Sequence, residues 1–229
     1  MASGIKLKIL AFETSTEYCS VALYLDGKLL NKDILAERCH SELLLPMVET
    51  ILAEAKLTLP QVDGIAFGAG PGSFTGLRIA CGVAQGLAFA ADLPVIGVST
   101  LEAVAQKNGE DKVVVALDAR MGEIYHAAYQ RSTDHWKTIS APTLCKPQHA
   151  PSISGSHWVG CGSGFDSYDK ELSTLYNEQI DQINYGLYPH ANEIALLAVP
   201  RFKDKSNTSP FNAAPIYIRN KVALKENER

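Results

Sequence analysis

The chain has 229 residues, of which 46% are apolar and 20% are charged, a composition in the range of ordinary globular proteins. Its formal net charge of −4 argues against nucleic-acid binding by this chain alone, because such binding depends on cations that neutralise phosphates. The 5 cysteines are odd in number and form no C-x-x-C pair, which argues against a disulfide framework and a structural zinc site. The start shows no signal-peptide pattern and no segment has membrane-spanning length, so we expect a cytoplasmic protein without membrane contact.

The opening segments predict three antiparallel strands followed by a helix. IKLKILAFETS becomes continuously apolar and stops at a polar cluster that begins with Glu13, as a covered strand would. YCSVALYLDGKLLNKDILA indicates a hairpin that turns at Asp26 and Gly27. Ser41 is the predicted N-cap of the following helix, which has an apolar stripe and contains Pro46, a residue expected to bend it or mark its first turn.

The remainder of the first half alternates strands and helices, and the second half repeats the opening pattern. After the first helix, the predicted elements are a strand in VDGIAFGAG, a helix in TGLRIACGVAQGLAFAAD, a strand in LPVIGVS and a helix in TLEAVAQKN. Three strand patterns then follow one another again, in KVVVALDAR, EIYHAAYQ and WKTISAPTL. This repetition indicates an internal duplication, with one unit over residues 1–108 and the other over residues 109–229.

The last part of the second unit is less regular. Its patterns predict a strand in HWVGCGSGF, a helix in YDKELSTLYN, a strand in INYGLYP and a helix in ANEIALLAVPRF. The tail from Ser209 onward mixes proline, asparagine and charge, so we expect it to run over the surface.

The glycine-rich segment GAGPGSFTG lies between a predicted strand and a predicted helix, where phosphate-binding loops occur. Its spacing matches neither the G-x-x-x-x-G-K-[ST] loop nor the G-x-G-x-x-G loop. One interpretation is a weak nucleotide or anion site at the helix N-terminus. The alternative is that the glycines only allow a tight connection. The residues of the anion interpretation are Thr14, Ser15, Gly70, Pro71, Gly72 and Ser73.

The helix after this loop has apolar or small residues on every face. Between Leu77 and Ala91 only Arg78 and Gln85 are strongly polar, so the pattern predicts a helix that is buried all round. Its glycines and alanines form a low ridge that a second helix could approach closely. The cover on the outer face is either another layer of the same chain or another protein, and the sequence leaves both open.

Catalytic chemistry is only weakly indicated. The 6 histidines show no metal-ligand spacing, so no metal site is predicted. Glu13 and Asp118 each end a predicted strand, where sheet proteins present catalytic side chains, but such acids also form turns and caps. Arg120 is expected to pair with Asp118, which would make both groups less reactive.

Five motifs occur in the order and spacing of one protein family: ILAFETST with CSVAL, AFGAGPGSFTGLRI, VIGVSTLEAVA, DARMGEIY and PIYIRNKVA. Over nearly its whole length the chain resembles the TsaB family, also called YeaZ, of accessory proteins that act in making threonylcarbamoyladenosine on bacterial tRNA. The resemblance implies an α/β fold of the actin, sugar-kinase and Hsp70 type, which is ribonuclease H-like and duplicated. Each of its two lobes is expected to hold a mixed five-stranded sheet flanked by helices.

The resemblance also implies a function and partners. The expected function is a non-catalytic subunit that docks to and stabilises the metal-dependent subunit TsaD, which transfers threonylcarbamoyl to the adenosine next to the anticodon of tRNAs reading codons that start with A. The ATPase TsaE is a further expected partner, tRNA is contacted only indirectly, and the protein forms a homodimer when alone. Thr100 and Val104 stand where TsaD-like sequences carry the H-x-x-x-H metal ligands, so no metal is expected here. No cofactor is expected, with ATP or ADP bound, if at all, only in the complex.

In this family the helices of the first lobe pair with their counterparts on the partner, which assigns the apolar helix to docking. The predicted interface, of standard size, consists of Leu43, Leu44, Met47, Val48 and Ile51 of one helix and Leu77, Ala80, Val83, Ala84 and Leu87 of the next. Two alternatives remain. One is an autonomous small-molecule kinase or glycoprotease-like enzyme that uses Glu13, Asp118 and the loop 70–73, and the other is a self-contained homodimeric binding module.

Overall fold

The computed structural model describes residues 6–133, 135–204 and 209–219. The first half contains β1 (Lys8–Glu13), β2 (Tyr18–Leu25), β3 (Lys28–Leu35), α1 (His40–Glu54), β4 (Gly64–Gly70), α2 (Phe74–Ala91), β5 (Val95–Ser99) and α3 (Thr100–Asn108). The second half contains β6 (Lys112–Asp118), β7 (Ile124–Arg131), β8 (Trp136–Cys145), β9 (Trp158–Cys161), α4 (Ser163–Ser167), α5 (Asp169–Leu175), β10 (Ile180–Asn184) and α6 (Ala191–Lys203).

The strands form two five-stranded sheets with the same topology. The order is β3-β2-β1-β4-β5 in the first sheet and, read in the same direction, β8-β7-β6-β9-β10 in the second. In each sheet the first strand pairs antiparallel with the second and parallel with the fourth, so both sheets are mixed. The predicted duplicated fold, with two lobes of one mixed sheet each, is confirmed.

The hairpin between β2 and β3 turns where the sequence predicts. Asp26 and Gly27 have φ values of 48° and 92°, the left-handed pair that a two-residue hairpin turn requires. The predicted cap of α1 is wrong: the helix begins at His40, with Cys39 in the N-cap position and no side-chain cap bond. Since backbone amides of the first turn already donate to the Cys39 carbonyl, Ser41 lies inside the helix.

The structure specifies the place of Pro46 in α1 and moves the strand that the sequence predicts in INYGLYP. Pro46 lies inside α1, beyond its first turn. The strand predicted in INYGLYP is displaced, because the residues that pair with β9 are those of β10, which ends at Asn184. Gly186 follows with a φ of 68° and donates its N–H to Asp166, so the chain turns away from the sheet there.

Helices cover both faces of each sheet, and two of them lie between the lobes. α1 and α2 pack on the outer face of the first sheet, and α4 and α5 pack on the outer face of the second. α6 contacts the inner face of the first sheet, although it comes from the second half of the chain. α3 lies beside α6 and contributes to the core of the second lobe. The predicted division at residue 108 separates the two sheets along the chain, and as a domain boundary it stays a prediction.

Within the described residues α2 is buried on one face only, so no further layer of that part of the chain covers its outer face, and cover by another protein stays a prediction. Ala80 and Ala84 pack in the core of the first lobe and Leu77 is buried at the cleft between the lobes, whereas Gly82 and Gly86 are exposed. By length and composition α2 could cross a membrane, which corrects the expectation that no segment reaches that length. The same apolar composition also suits a helix with its inner face in a protein core.

Candidate functional site

The structure divides the ten residues of the predicted interface into two groups. Six are buried. Leu44, Val48, Ile51, Ala80 and Ala84 lie in the core of the first lobe and contact the chain's own sheet. Leu77 lies beside Gly70 and lines the cleft between the lobes. Four are half-buried at the edge of that core: Leu43, Met47, Val83 and Leu87. Most of the apolar residues that the sequence pattern assigns to the interface therefore face the chain's own sheet. Partner binding by these residues stays a prediction, and only the second group has surface to give to a partner.

The exposed face of α2 consists of residues that the predicted interface leaves out. Gly82 and Gly86 lie on it, and Phe89 is 73% exposed at its C-terminal end. The ring of Phe211, which is 81% exposed, meets the Phe89 ring edge-on with centroids 6.2 Å apart. Together with Gln85 and Pro210 these residues line a groove of about 440 Å³. The sequence pattern indicates the glycine ridge, but no local signal places Phe211 beside it.

A second concave site lies in the cleft between the lobes. It has a volume of about 710 Å³ and is lined by the first turn of α2, by the loop between β6 and β7, and by residues 216–219 of the tail. Of the predicted anion loop, Ser15, Pro71, Gly72 and Ser73 line this cleft. The structure therefore brings these residues together at one end of the first sheet.

Most polar groups of the predicted anion loop are used within the loop itself. Ser73 donates its N–H to the Ser15 carbonyl at 2.8 Å, and the Thr14 hydroxyl donates to the Gly76 carbonyl at 2.8 Å. The Ser73 hydroxyl caps α2 by accepting from the Gly76 amide at 3.3 Å. The peptide bond between Gly70 and Pro71 is cis, and the Pro71 carbonyl accepts from the Thr100 hydroxyl. These bonds favour the tight-connection interpretation, while anion binding stays a prediction.

Glu13, at the end of β1, is fully buried below this loop. One carboxylate oxygen accepts the N–H of Ser15, and the other has no hydrogen-bond partner among the described residues. Burial raises the pKa of this carboxyl from 4.5 to about 7. A Cβ on Gly68 would lie 1.5 Å from the unpaired oxygen, so only glycine fits beside the carboxyl. The group is held at the base of the first lobe rather than presented to the cleft.

Asp118, the second strand-end acid, faces the cleft but is already paired. Its carboxylate accepts from the Arg120 amide at 2.8 Å and from the Arg120 guanidinium at 3.2 Å. The Tyr168 hydroxyl donates to it at 3.4 Å. The predicted pairing with Arg120 is confirmed, and it occupies both oxygens of the carboxylate.

Metal ligands are not gathered in the described part of the chain. Residues 6–133, 135–204 and 209–219 contain no group of three or more histidine, cysteine, aspartate or glutamate side chains that could hold an ion. Thr100 and Val104 are buried on α3, and the Thr100 hydroxyl is used in its bond to the loop 70–73. Neither side chain offers a nitrogen or sulfur ligand.

Comparison with known proteins identifies relatives along almost the whole chain. A family profile described as TsaD, tRNA N6-adenosine threonylcarbamoyltransferase, matches residues 34–198. The tRNA threonylcarbamoyladenosine biosynthesis protein TsaB of Escherichia coli K12 is 39% identical, with 96% of this chain and 98% of that protein covered. The TsaB protein of Haemophilus influenzae is also 39% identical, over 96% of this chain and 97% of its own length.

A solved structure agrees with these relatives. YeaZ from Pseudomonas aeruginosa superposes with a TM-score of 0.86 at 37% identity and covers 92% of this chain and 99% of its own. Sequence likeness over 96% of this chain and structural likeness over 92% of it therefore agree. On these grounds the chain belongs to the TsaB family, also called YeaZ.

Proposed function

We propose that this chain acts in threonylcarbamoyladenosine synthesis on tRNA as a non-catalytic subunit. In this proposal it docks to and stabilises TsaD, which transfers the threonylcarbamoyl group to the adenosine next to the anticodon, and TsaE completes the system. The names of the relatives support the process. The observation that carries the docking role is the exposed, uncharged face of α2.

This face has the properties of a surface that receives a helix. After Arg78 no charged side chain occurs in α2, and a Cβ added at Gly82 or Gly86 would have no atom of the described residues within 4 Å. A partner helix could therefore come close to the α2 backbone, with the smallest interaxial distance that side chains allow. Phe89 and Phe211 stand beside the ridge as large exposed apolar groups, which mark interaction sites on soluble proteins. When TsaD is absent, the same face is proposed to pair two copies of this chain.

The donor groups of the chain support placing the chemistry on the partner. Thr100 and Val104 cannot replace two imidazole ligands, because a hydroxyl that is already bonded and an alkyl group bind no metal. Glu13 is enclosed and Asp118 is paired with Arg120. With a net charge of −4, contact with tRNA is assigned to the complex rather than to this chain. Any nucleotide is likewise assigned to the complex.

The substitution Gly86→Leu tests the docking face with little effect on folding. In the free chain the Cβ of the new side chain would meet no described atom within 4 Å, and leucine is a better helix former than glycine. In the complex it would separate the two helices, so we expect the affinity for TsaD of the same organism to fall at least about 100-fold. The measurement is co-purification with tagged TsaD, followed by a titration of purified proteins.

Thr174→Leu on α5 is the matched control, since it adds an exposed leucine to a helix of the other lobe. It should bind TsaD like the wild type. Val83→Asp and Met47→Asp should also abolish binding, but both positions are half-buried, so their thermal stability must be measured alongside. If Gly86→Leu binds TsaD with unchanged affinity, α2 is not the docking face.

The alternative of an autonomous kinase or glycoprotease-like enzyme is separated by calorimetry on the isolated chain. That alternative requires binding of ATP and magnesium, or turnover of a substrate, without TsaD. Our proposal expects neither. The homodimeric-module alternative is separated by adding TsaD to the isolated protein, which should convert any homodimer into a heterodimer on a sizing column.

A further inference from the structure

The tail segment 209–219 runs along α2 in the opposite direction to the helix. Phe211 contacts Phe89 near the helix C-terminus. Two residues later, the Ala213 carbonyl accepts from Gln85 at 2.9 Å and from the Cys81 thiol at 3.5 Å. The segment thus follows one flank of the helix toward its N-terminus.

Farther along, the segment reaches the first turn of α2 and the end of the first sheet. Ile216 donates its N–H to the Ala69 carbonyl of β4 at 2.7 Å. The Tyr217 hydroxyl accepts from the Arg78 guanidinium at 3.1 Å, and its ring lies 5.4 Å from the Phe74 ring. Residues 216–219 then form one side of the cleft between the lobes.

Arg219 fastens the segment to the other lobe. Its guanidinium donates to the Ala119 carbonyl at 3.0 Å and pairs with the Glu123 carboxylate at 2.7 Å, both in the loop between β6 and β7. It also contacts the Met121 sulfur at 3.3 Å. With a side chain only 14% exposed, this is a well-covered ion pair, and such charge-assisted bonds are stronger than exposed ones.

The segment has little structure of its own. Between residues 209 and 219 its regular element is one short turn of helix at Pro210–Asn212. Its position therefore depends on contacts with α2, with β4 and with the second lobe. Segments held in this way open locally, as a unit, at a lower free energy than the core.

We propose that residues 209–219 form a strap that joins the two lobes across the mouth of the cleft, with Arg219 as its latch on the second lobe. The strap covers one flank of α2 only while the latch is closed. The surface that α2 presents, and access to the cleft, are thereby coupled to the loop between β6 and β7. This proposal concerns the isolated chain and does not depend on TsaD.

Cys81 provides a built-in reporter for the strap. Its thiol is 6% exposed and bonds to Ala213, so it lies under the strap, and burial raises its pKa and slows reaction with thiol reagents. Cys19 is fully buried in the core of the same lobe and reports on unfolding of that lobe. The rate of maleimide labelling at each cysteine is measured by peptide mass spectrometry.

The latch is broken by Arg219→Ala and weakened from the other side by Glu123→Gln. We expect Cys81 labelling to accelerate at least about tenfold in Arg219→Ala, and by a smaller factor in Glu123→Gln, with Cys19 unchanged. Arg131→Ala is the matched control. Arg131 pairs with Asp111 and donates to the Gly109 carbonyl, and it makes no contact with the strap.

Three results would overturn the proposal. Unchanged Cys81 labelling in both latch variants would mean that the α2 contacts hold the segment without Arg219. Equal acceleration at Cys81 and Cys19 would mean general loosening of the lobe. Acceleration of Cys81 in Arg131→Ala would mean that the effect is not specific to the latch.

Discussion

Glu13→Gln tests the physical account of the buried carboxyl in the first lobe. Burial raises the pKa of Glu13 from 4.5 to about 7, so the folded chain holds a proton that the unfolded chain releases. A raised carboxyl pKa means that folding stability falls as the pH rises from 4.5 to about 7 and is level above that. At about 1.4 kcal/mol per pKa unit, the free energy of unfolding is lower by about 3 kcal/mol at pH 8 and by about 1 kcal/mol at pH 5 than it is well below pH 4.5.

Glutamine removes this pH dependence, because it carries no charge at either pH. Its amide oxygen can still accept the Ser15 N–H that Glu13 accepts now. We therefore expect the stability of Glu13→Gln relative to wild type to be about 2 to 3 kcal/mol more favourable at pH 8 than at pH 5. For a chain of this length that corresponds to about 5 to 10 °C in the difference between their melting temperatures.

The assay is urea denaturation of both proteins at pH 5 and pH 8, with unfolding monitored by circular dichroism. Glu54→Gln is the control, since Glu54 lies at the surface in an ion pair with Lys32, and its profile should run parallel to wild type. The reasoning is refuted if the stability difference between Glu13→Gln and wild type is the same at both pH values. A constant difference would show that the stability effect of the substitution comes from a changed hydrogen bond and not from a charge.

Two further predictions concern backbone packing at the glycines of α2 and a buried hydrogen bond in the second lobe. Gly76→Ala should lower the free energy of unfolding by about 3 kcal/mol or more, because its Cβ would lie 1.9 Å from a backbone carbonyl of the β1–β2 loop. Gly82→Ala in the same helix should raise it by about 0.5 to 1 kcal/mol, because its Cβ meets no described atom within 4 Å. Equal effects in denaturation experiments would contradict the geometry. Tyr176→Phe removes a buried hydroxyl that bonds to His126 at 2.9 Å and should lose about 1 to 3 kcal/mol, while Tyr185→Phe at the surface should change stability little.

Local patterns were sufficient for the element types and for the duplication. The alternation in β1 and the Asp26–Gly27 turn predict a strand and a hairpin, because each depends on the chemistry of neighbouring residues. The predictions of Ser41 as the N-cap and of a strand over INYGLYP were wrong, because these features do not depend on neighbouring residues alone. The start of α1 depends on where the backbone becomes helical, and the position of β10 depends on pairing with β9, which is distant in the sequence.

The candidate site was predicted only in part. The apolar composition of α2 indicates a helix with two contacting surfaces, of which the structure shows the one that meets the sheet. A partner at the exposed Gly82 and Gly86 stays a prediction. Leu77 and Ala84 of the predicted interface are buried within the chain itself, because an all-apolar helix has no polar stripe to distinguish the core side from the outer side. Phe211 was missed since its contact with α2 spans more than a hundred residues of chain.

The sequence by itself determined the family, the order of the strands and of the helices other than α4, the repeated unit and the absence of imidazole ligands on α3. Each of these is carried by residue types at fixed local spacing. Only the tertiary structure decided that α6 packs on the first sheet and that the tail joins α2 to the second lobe. It also decided that Glu13 is enclosed, with one carboxylate oxygen unpaired among the residues that the structure describes. The physical reason is that burial and pairing depend on which distant segments meet, and a one-dimensional pattern records only what each residue prefers and not the neighbour it finds.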